Sequence, residues 1–101
     1  MNSRTSHVIY HLAYATHWAD AGETYTHSTR GRTLADEGFI HCSTDLDQLR
    51  EVVTRYYTDV DPTDLIVLHI DPTGLDIRVE GGFPHLYGPL PRSAVHTHST
   101  L

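Results

Sequence analysis

Two side chains that can do chemistry, those of His41 and Cys42, are neighbours inside the stretch from Gly38 to Thr44. Histidine gives or accepts a proton near neutral pH, and a cysteine thiolate is a nucleophile. Because neighbours along a strand point to opposite faces, we expect Cys42 to face away from His41 as a small buried residue. A nucleophilic Cys42, activated by a nearby helix N-terminus, is the alternative.

The residues around this pair predict a strand-to-helix junction. Phe39 and Ile40 favour an extended backbone, whereas Ser43 or Thr44 can cap a helix that begins at Asp45. Thr44 and Asp47 have the spacing of a capping box. The free amides and the positive dipole end of a helix N-terminus favour anions, so we expect a ligand site beside it.

The chain has nine histidines among 101 residues. We expect His11, His41 and His85 to line one cleft, because each stands in a distinctive sequence block. The others are interpreted as structural, namely His7, His17, His27 and His69. His96 and His98 share one face of a predicted strand, which is compatible with zinc, but a solvated strand end is the preferred interpretation and no metal site is predicted.

Composition excludes several classes of protein. Seven arginines, no lysine and thirteen acidic residues give a net charge of −6, which argues against general binding to nucleic acid or anionic membranes. Arg30 and Arg32 can face a phosphate from a long polar loop, but a solvated loop is the preferred interpretation of both. No apolar run is long enough for a membrane span, and the N-terminus lacks a signal-peptide pattern, so we expect a cytoplasmic protein.

We predict one compact α+β domain over residues 1–101, with a bent or split mixed sheet and one main helix. The strand over 7–13 is expected near the sheet centre, and the strands over 65–70 and 77–80 are expected to form a hairpin. The predicted elements are a strand over 7–13, a helix over 16–22 with Thr16 as its cap, a loop over 23–37 with a short strand at 24–27, the main helix over 45–57, strands over 65–70 and 77–80, an irregular loop over 81–91 and a last strand over 94–98.

Three blocks carry a resemblance to a known family. They are Ile9-Tyr10-His11, Glu37 to Thr44, and Phe83-Pro84-His85-Leu86-Tyr87-Gly88-Pro89-Leu90. In order and spacing they resemble the bacterial family known as domain of unknown function 952. The resemblance implies a fold similar to ADP-ribosyltransferases, which use NAD as a substrate.

The same resemblance implies roles for individual residues. His11 is expected to hold the nicotinamide-side ribose of NAD, and His41 the nicotinamide end. Glu80 is expected to stabilise an oxocarbenium-like transition state, with His85 as the competing candidate for this third catalytic role. The further residues expected to bind NAD are Tyr10, Ser43 and Tyr87.

Two functions are therefore open. The first is an NAD-using transferase or glycohydrolase whose acceptor is unknown. The alternative is a non-catalytic module that binds a nucleotide or another small molecule on the same fold. The sequence does not indicate an oligomeric state.

Overall fold

The structure, a computed structural model, describes residues 7–101 as an α+β fold. Its strands are β1 (Ile9–Tyr14), β2 (Thr24–Tyr25), β3 (Ile40–His41), β4 (Leu65–Ile70), β5 (Ile77–Glu80), β6 (Phe83–Leu86), β7 (Leu90–Pro91) and β8 (Val95–Thr100). Its helices are α1 (Ala15–Asp20), α2 (Leu34–Glu37) and α3 (Leu46–Tyr56), with 3-10 turns at Pro62–Asp64 and Arg92–Ala94. Residues 1–6, to which the signal-peptide expectation refers, lie outside the described part.

The strands form three small sheets. The sheet of order β1-β4-β8 is called the main sheet. The sheet of order β3-β6-β5 is called the cavity sheet, because its strand β3 borders the cavity described below. The short strands β2 and β7 form the third sheet. The prediction of a split sheet is confirmed. Among the described strands every pairing is antiparallel, so the prediction of a mixed sheet is wrong. The central strand of the main sheet is β4 rather than β1, because the apolar run of β4 is buried between two neighbours.

Both faces of the main sheet are covered. On one face, Leu12 and Val67 pack against Leu49 and Val52 of α3. Burial of a side chain of this size contributes about 1.5–3 kcal/mol. On the opposite face lies the second part of the core, which includes Ile9, Ile40, Leu68, Ile70, Leu86 and Leu90. The cavity sheet therefore packs on the face of the main sheet that α3 leaves uncovered.

The main helix is confirmed, but its cap differs from the prediction by one residue. Asp45 is the N-cap, and its side chain accepts from the amide of Gln48 at 2.8 Å. The side chain of Gln48 accepts in turn from the amide of Thr44 at 2.7 Å. Because the Asp45 side chain already caps the helix, Thr44 is not needed as its cap.

The segment over residues 81–91, predicted to be irregular, contains β6 and β7. Gly81 and Gly82 have φ angles of 61° and 85°, a conformation that glycine adopts easily and that suits a tight hairpin turn. This turn pairs β5 with β6, so the predicted hairpin of β4 and β5 is wrong. Pro84 is tolerated inside β6, where its carbonyl accepts from the amide of Cys42.

Three further differences concern short elements. The first helix begins at Ala15 without a side-chain cap, so Thr16 is not its N-cap. The predicted long loop contains α2, which Thr33 and Asp36 stabilise through a capping box that was not predicted. The last strand is confirmed as β8, at an edge of the main sheet. Among the described residues, no helix has both the length and the apolar composition needed to cross a bilayer.

Candidate functional site

His41, the last residue of β3, lies at the wall of a cavity of about 400 Å³, here called the His41 cavity. The loop between β2 and α2, the segment that joins α2 to β3, and the C-terminal end of α3 surround it. The lining residues are Thr29, Arg30, Arg32, Glu37, Phe39, His41 and Tyr56. The cavity therefore combines an imidazole, a carboxylate, two guanidinium groups and two aromatic rings.

His11 lies directly behind His41 and does not reach the cavity. Only 2% of its surface is exposed, because β1 directs it into the core between the sheets. Its Nδ1 donates to the His41 carbonyl at 2.7 Å, which leaves Nε2 to accept from the Tyr25 hydroxyl at 2.9 Å. Burial lowers the pKa of His11 to about 4, so the ring is neutral. The prediction that His11 lines the cleft is wrong, and its expected contact with a ribose is blocked.

A buried hydroxyl connects the carboxylate of the cavity to the backbone of His41. Ser28 is 2% exposed, and its Oγ donates to Glu37 Oε1 at 2.6 Å. The same oxygen accepts from the amide of His41 at 3.1 Å. Ser28 therefore fixes the position of Glu37 relative to β3, so that the carboxylate stays beside the imidazole.

The two arginines of the cavity differ in how strongly they are held. Arg30 forms a two-bond ion pair with Asp59, and its amide donates to the Tyr57 hydroxyl at 2.7 Å. These contacts stabilise its left-handed backbone, which has a φ of 60°. The side chain of Arg32 is 69% exposed and meets Glu37 only at 3.5 Å. Arg32 is therefore the cation with more freedom to meet an anionic ligand.

His85, Glu80 and Tyr87 form a connected group beside the cavity. Glu80 accepts from His85 Nδ1 at 2.9 Å and from the Tyr87 hydroxyl. The hydrogen bond from Tyr87 and, to a smaller extent, the one from His85 hold the pKa of Glu80 below its ordinary value. His85 stacks on Phe39 with 4.0 Å between ring centres. The group meets the cavity through Phe39, whereas Glu80 does not line it.

His41 and His85 come close together as predicted, but His85 does not line the cavity as expected. They face each other across the β3–β6 pair, and their ring centres are 5.5 Å apart. Burial first, and then the charge of a protonated His85, lower the pKa of His41, against the opposite influence of Glu37. The imidazole of His41 is therefore neutral at pH 7 and able to accept a proton. The catalytic roles of His41, His85 and Glu80 stay predictions.

Tyr10 and Ser43 join two sheets rather than line the cavity. The amide of each donates to the carbonyl of the other, at 2.9 and 2.7 Å. Ser43 is buried, and the ring of Tyr10 packs edge-on against His69 of the neighbouring strand. Their predicted contact with NAD has no basis in this geometry. Tyr87, by contrast, packs on Phe39 with 5.7 Å between ring centres, so it lies close to the site.

Cys42 is buried in the core, as the alternation along the strand predicts. Burial raises the pKa of its thiol to about 12, which keeps the sulfur protonated. The alternative of a nucleophilic Cys42 is therefore wrong. Among residues 7–101, no set of three histidine, cysteine or acidic side chains is placed to hold a metal ion.

The cavity lies at the C-terminal end of α3, beside Tyr56, and not at its N-terminus. The site expected beside the N-terminus is therefore misplaced, and the Asp45 side chain already accepts from the Gln48 amide there. The positive charge in the cavity wall comes instead from Arg30 and Arg32. Both arginines lie in the cavity wall, and their contact with a phosphate stays a prediction.

Sequence reasoning did not identify Glu37, Phe39 or Tyr56 as site residues. Glu37 stands at the start of the second sequence block, so its place in that block could have marked it as a site residue. Phe39 was interpreted only as a strand-forming residue. Tyr56 belongs to the apolar pattern of α3, although it is exposed at the cavity. An aromatic residue that belongs to an apolar pattern but remains exposed becomes recognisable only once the fold is known.

Comparisons with known proteins support the resemblance in the sequence blocks. Residues 12–98 match the family described as "Protein of unknown function (DUF952)". This match confirms the predicted family. Comparison with curated proteins gives no match.

Solved structures of one bacterial protein, CC0527 from Caulobacter crescentus, are similar to this chain. Its crystal structure is 28% identical, covers 93% of this chain and 85% of that one, and has a TM-score of 0.76. Its solution NMR structure is 27% identical, covers 93% and 84% of the two chains, and has a TM-score of 0.66. The similarity extends over nearly the whole fold.

Proposed function

We propose that this chain, which belongs to the DUF952 family, binds NAD or an ADP-ribose-like nucleotide in the His41 cavity and breaks the bond between nicotinamide and ribose. The observation that supports this proposal is the combination of His41, Glu37, two arginines and two aromatic rings in one wall. A resemblance to the ADP-ribosyltransferase fold is part of the same proposal.

The chemical parts of this ligand match the parts of the cavity. A pyrophosphate suits the guanidinium groups of Arg30 and Arg32, because arginine binds phosphate oxygens through two parallel donors. A nicotinamide ring suits the flat faces of Phe39 and Tyr56. Ribose hydroxyls suit the imidazole of His41. The cavity volume of about 400 Å³ is in the usual range for ligand clefts.

In the proposed reaction, the carbon–nitrogen bond to nicotinamide breaks and its electron pair leaves with the pyridine nitrogen, which becomes neutral. The ribose then carries positive charge, which a nearby carboxylate stabilises. Glu37 is the carboxylate of the cavity and takes the role first expected of Glu80. Water or another hydroxyl compound attacks the ribose, and neutral His41 accepts its proton.

The second candidate function is a binding module without catalysis. The observation that favours it is the position of His11, whose two ring nitrogens bind inside the core. The residues that the resemblance implies for NAD chemistry are therefore not assembled around one ligand. The carboxylate of Glu37 is also already held by Ser28. A cavity of this kind can bind a nucleotide and leave it intact.

Calorimetric titration with NAD, ADP-ribose and nicotinamide tests the binding step. We expect His41→Ala and Arg32→Ala to weaken ADP-ribose binding at least tenfold relative to the wild type. The matched controls are His98→Ala and Arg50→Ala, which remove exposed side chains outside the cavity. Absence of binding at millimolar concentration, or equal affinity in all four variants, would reject the proposal.

Nicotinamide release from NAD separates the two candidate functions. A catalytic protein releases nicotinamide, and Glu37→Gln lowers the rate by at least a hundredfold while ADP-ribose still binds. A binding module is stabilised by NAD without releasing nicotinamide. In that outcome the catalytic proposal fails and the module stands.

A further inference from the structure

A second, smaller cavity of about 120 Å³ adjoins the His41 cavity. The two cavities have His41 and Tyr56 in common, so these side chains form a shared wall. The residues that line the small cavity are His41, Glu51, Val52, Arg55, Tyr56 and Phe83. A ligand in the small cavity would therefore lie next to a ligand in the larger one.

The small cavity has an apolar base and a charged mouth. Val52 is buried, and Phe83 packs on His41 with 4.8 Å between ring centres. Glu51 and Arg55 are exposed and stand one helical turn apart on α3, on the side that lines the cavity. The mouth therefore offers one negative and one positive group at neighbouring positions.

Arg55 differs from the other arginines of the described segment. Ion pairs with carboxylates engage Arg30, Arg32, Arg50 and Arg78. Arg92 stacks on Trp18 and donates to two backbone carbonyls. Among residues 7–101, Arg55 and Glu51 have no ion-pair partner, even with each other. Both charges at the mouth are therefore available to a ligand.

We infer that the small cavity is a second binding subsite, for a small zwitterion whose carboxylate meets Arg55 and whose ammonium group meets Glu51. A volume of about 120 Å³ is the volume that about four molecules occupy in liquid water, at ~30 Å³ each. The ligand is therefore limited to the size of a small amino acid. In the reaction proposed above, on which this role rests, the acceptor is such a zwitterion with a hydroxyl group, whose oxygen attacks the ribose while His41 takes its proton.

The test is an NMR titration of the protein with glycine, acetate and methylammonium, observed at the Val52 methyl groups and the Phe83 ring. Glycine should shift these signals at lower concentration than either fragment, because it meets both charges. Arg55→Gln should weaken glycine binding at least tenfold and leave ADP-ribose binding unchanged within twofold. Arg50→Gln, on the same helix but outside the cavity, is the matched control and should bind glycine as the wild type does.

Three results would overturn the subsite: no shift with any of the three probes at millimolar concentration, equal glycine affinity in the wild type and the Arg55 variant, or equal loss of glycine and ADP-ribose binding in that variant. Glycine binding without ADP-ribose binding would leave the subsite standing and reject the proposed nucleotide function. The two proposals therefore fail separately.

Discussion

His11 and His41 are directly connected, yet their surroundings give them opposite properties. His11 is sealed in the core with both ring nitrogens bound, and its Nδ1 holds the carbonyl of His41 at 2.7 Å. His41 is half-buried and forms the wall of two cavities. A shared sequence pattern does not give two histidines the same role, because one side chain points into the core and the other toward the cavities.

Removal of the buried ring should have the largest effect on stability. His11→Ala leaves the Tyr25 hydroxyl and the His41 carbonyl without partners and creates a void, so we expect a loss of about 3–4 kcal/mol in the free energy of unfolding. Urea unfolding followed by circular dichroism measures it. His98→Ala, on an exposed edge strand, is the control and should change stability by less than about 0.5 kcal/mol. Similar values for both variants would contradict the comparison.

Acid should reveal the same difference in the wild type. The pKa of His11 is about 4 in the folded chain and 6.5 in the unfolded chain, so as the pH falls below 6.5 the unfolded chain takes up a proton that the folded chain refuses. This residue should therefore cost about 2 kcal/mol of stability between pH 7.5 and pH 5. Unfolding curves at both pH values, with His11→Gln as the reference, isolate the contribution. Equal pH dependence in both proteins would show that His11 is not held neutral.

Loss of the Ser28 hydroxyl, which lies between Glu37 and the backbone of His41, should have an intermediate effect on stability. Ser28→Ala removes the oxygen that bonds Glu37 and the His41 amide, and we expect a loss of about 1–2 kcal/mol in unfolding free energy. ADP-ribose affinity should also fall, since Glu37 is no longer fixed beside His41. The exposed Ser93 provides the control variant, Ser93→Ala, measured by the same unfolding and binding assays. Unchanged stability and affinity in Ser28→Ala would show that Ser28 does not fix Glu37 beside His41.

The smallest expected effect is on the titration of His41. Burial is the main cause of the lowered pKa of His41, and the charge of His85, with 5.5 Å between ring centres, lowers it further. His85→Gln should therefore raise that pKa part of the way toward its ordinary value. The stability of the fold should change little. NMR titration of the His41 ring signals measures the shift, with His69→Gln as a control in the main sheet. A downward shift or no shift in the His85 variant would place the two rings outside electrostatic contact.

Several elements were predictable because their signals are local. The strand at Leu65–Ile70 was predicted with its observed ends, since a short apolar run bounded by turn residues has few alternatives. The main helix was predicted to within one residue at each end, and its cap was displaced by one residue. Strand pairing was less predictable, because it depends on contacts between distant residues. The Gly81–Gly82 turn was a hairpin signal that the nearby prolines obscured.

The site was predictable only in part for the same reason. His41 and His85 were identified because each stands in a distinctive block, and their cross-strand pairing brings them together. Glu37 and Tyr56 become site residues only when α2 and the end of α3 meet around His41. His11 was assigned to the ligand from its sequence block and the family resemblance, neither of which shows that its side chain is buried in the core.

The backbone bridge between Tyr10 and Ser43 makes the separation of the main sheet from the cavity sheet measurable. Its two backbone hydrogen bonds join β1 of the main sheet to the segment that follows β3 of the cavity sheet. Their amide protons can exchange with deuterated solvent only when the two sheets separate at this point. The protection of the Tyr10 and Ser43 amides therefore reports the free energy that keeps the wall of the His41 cavity closed, apart from global unfolding.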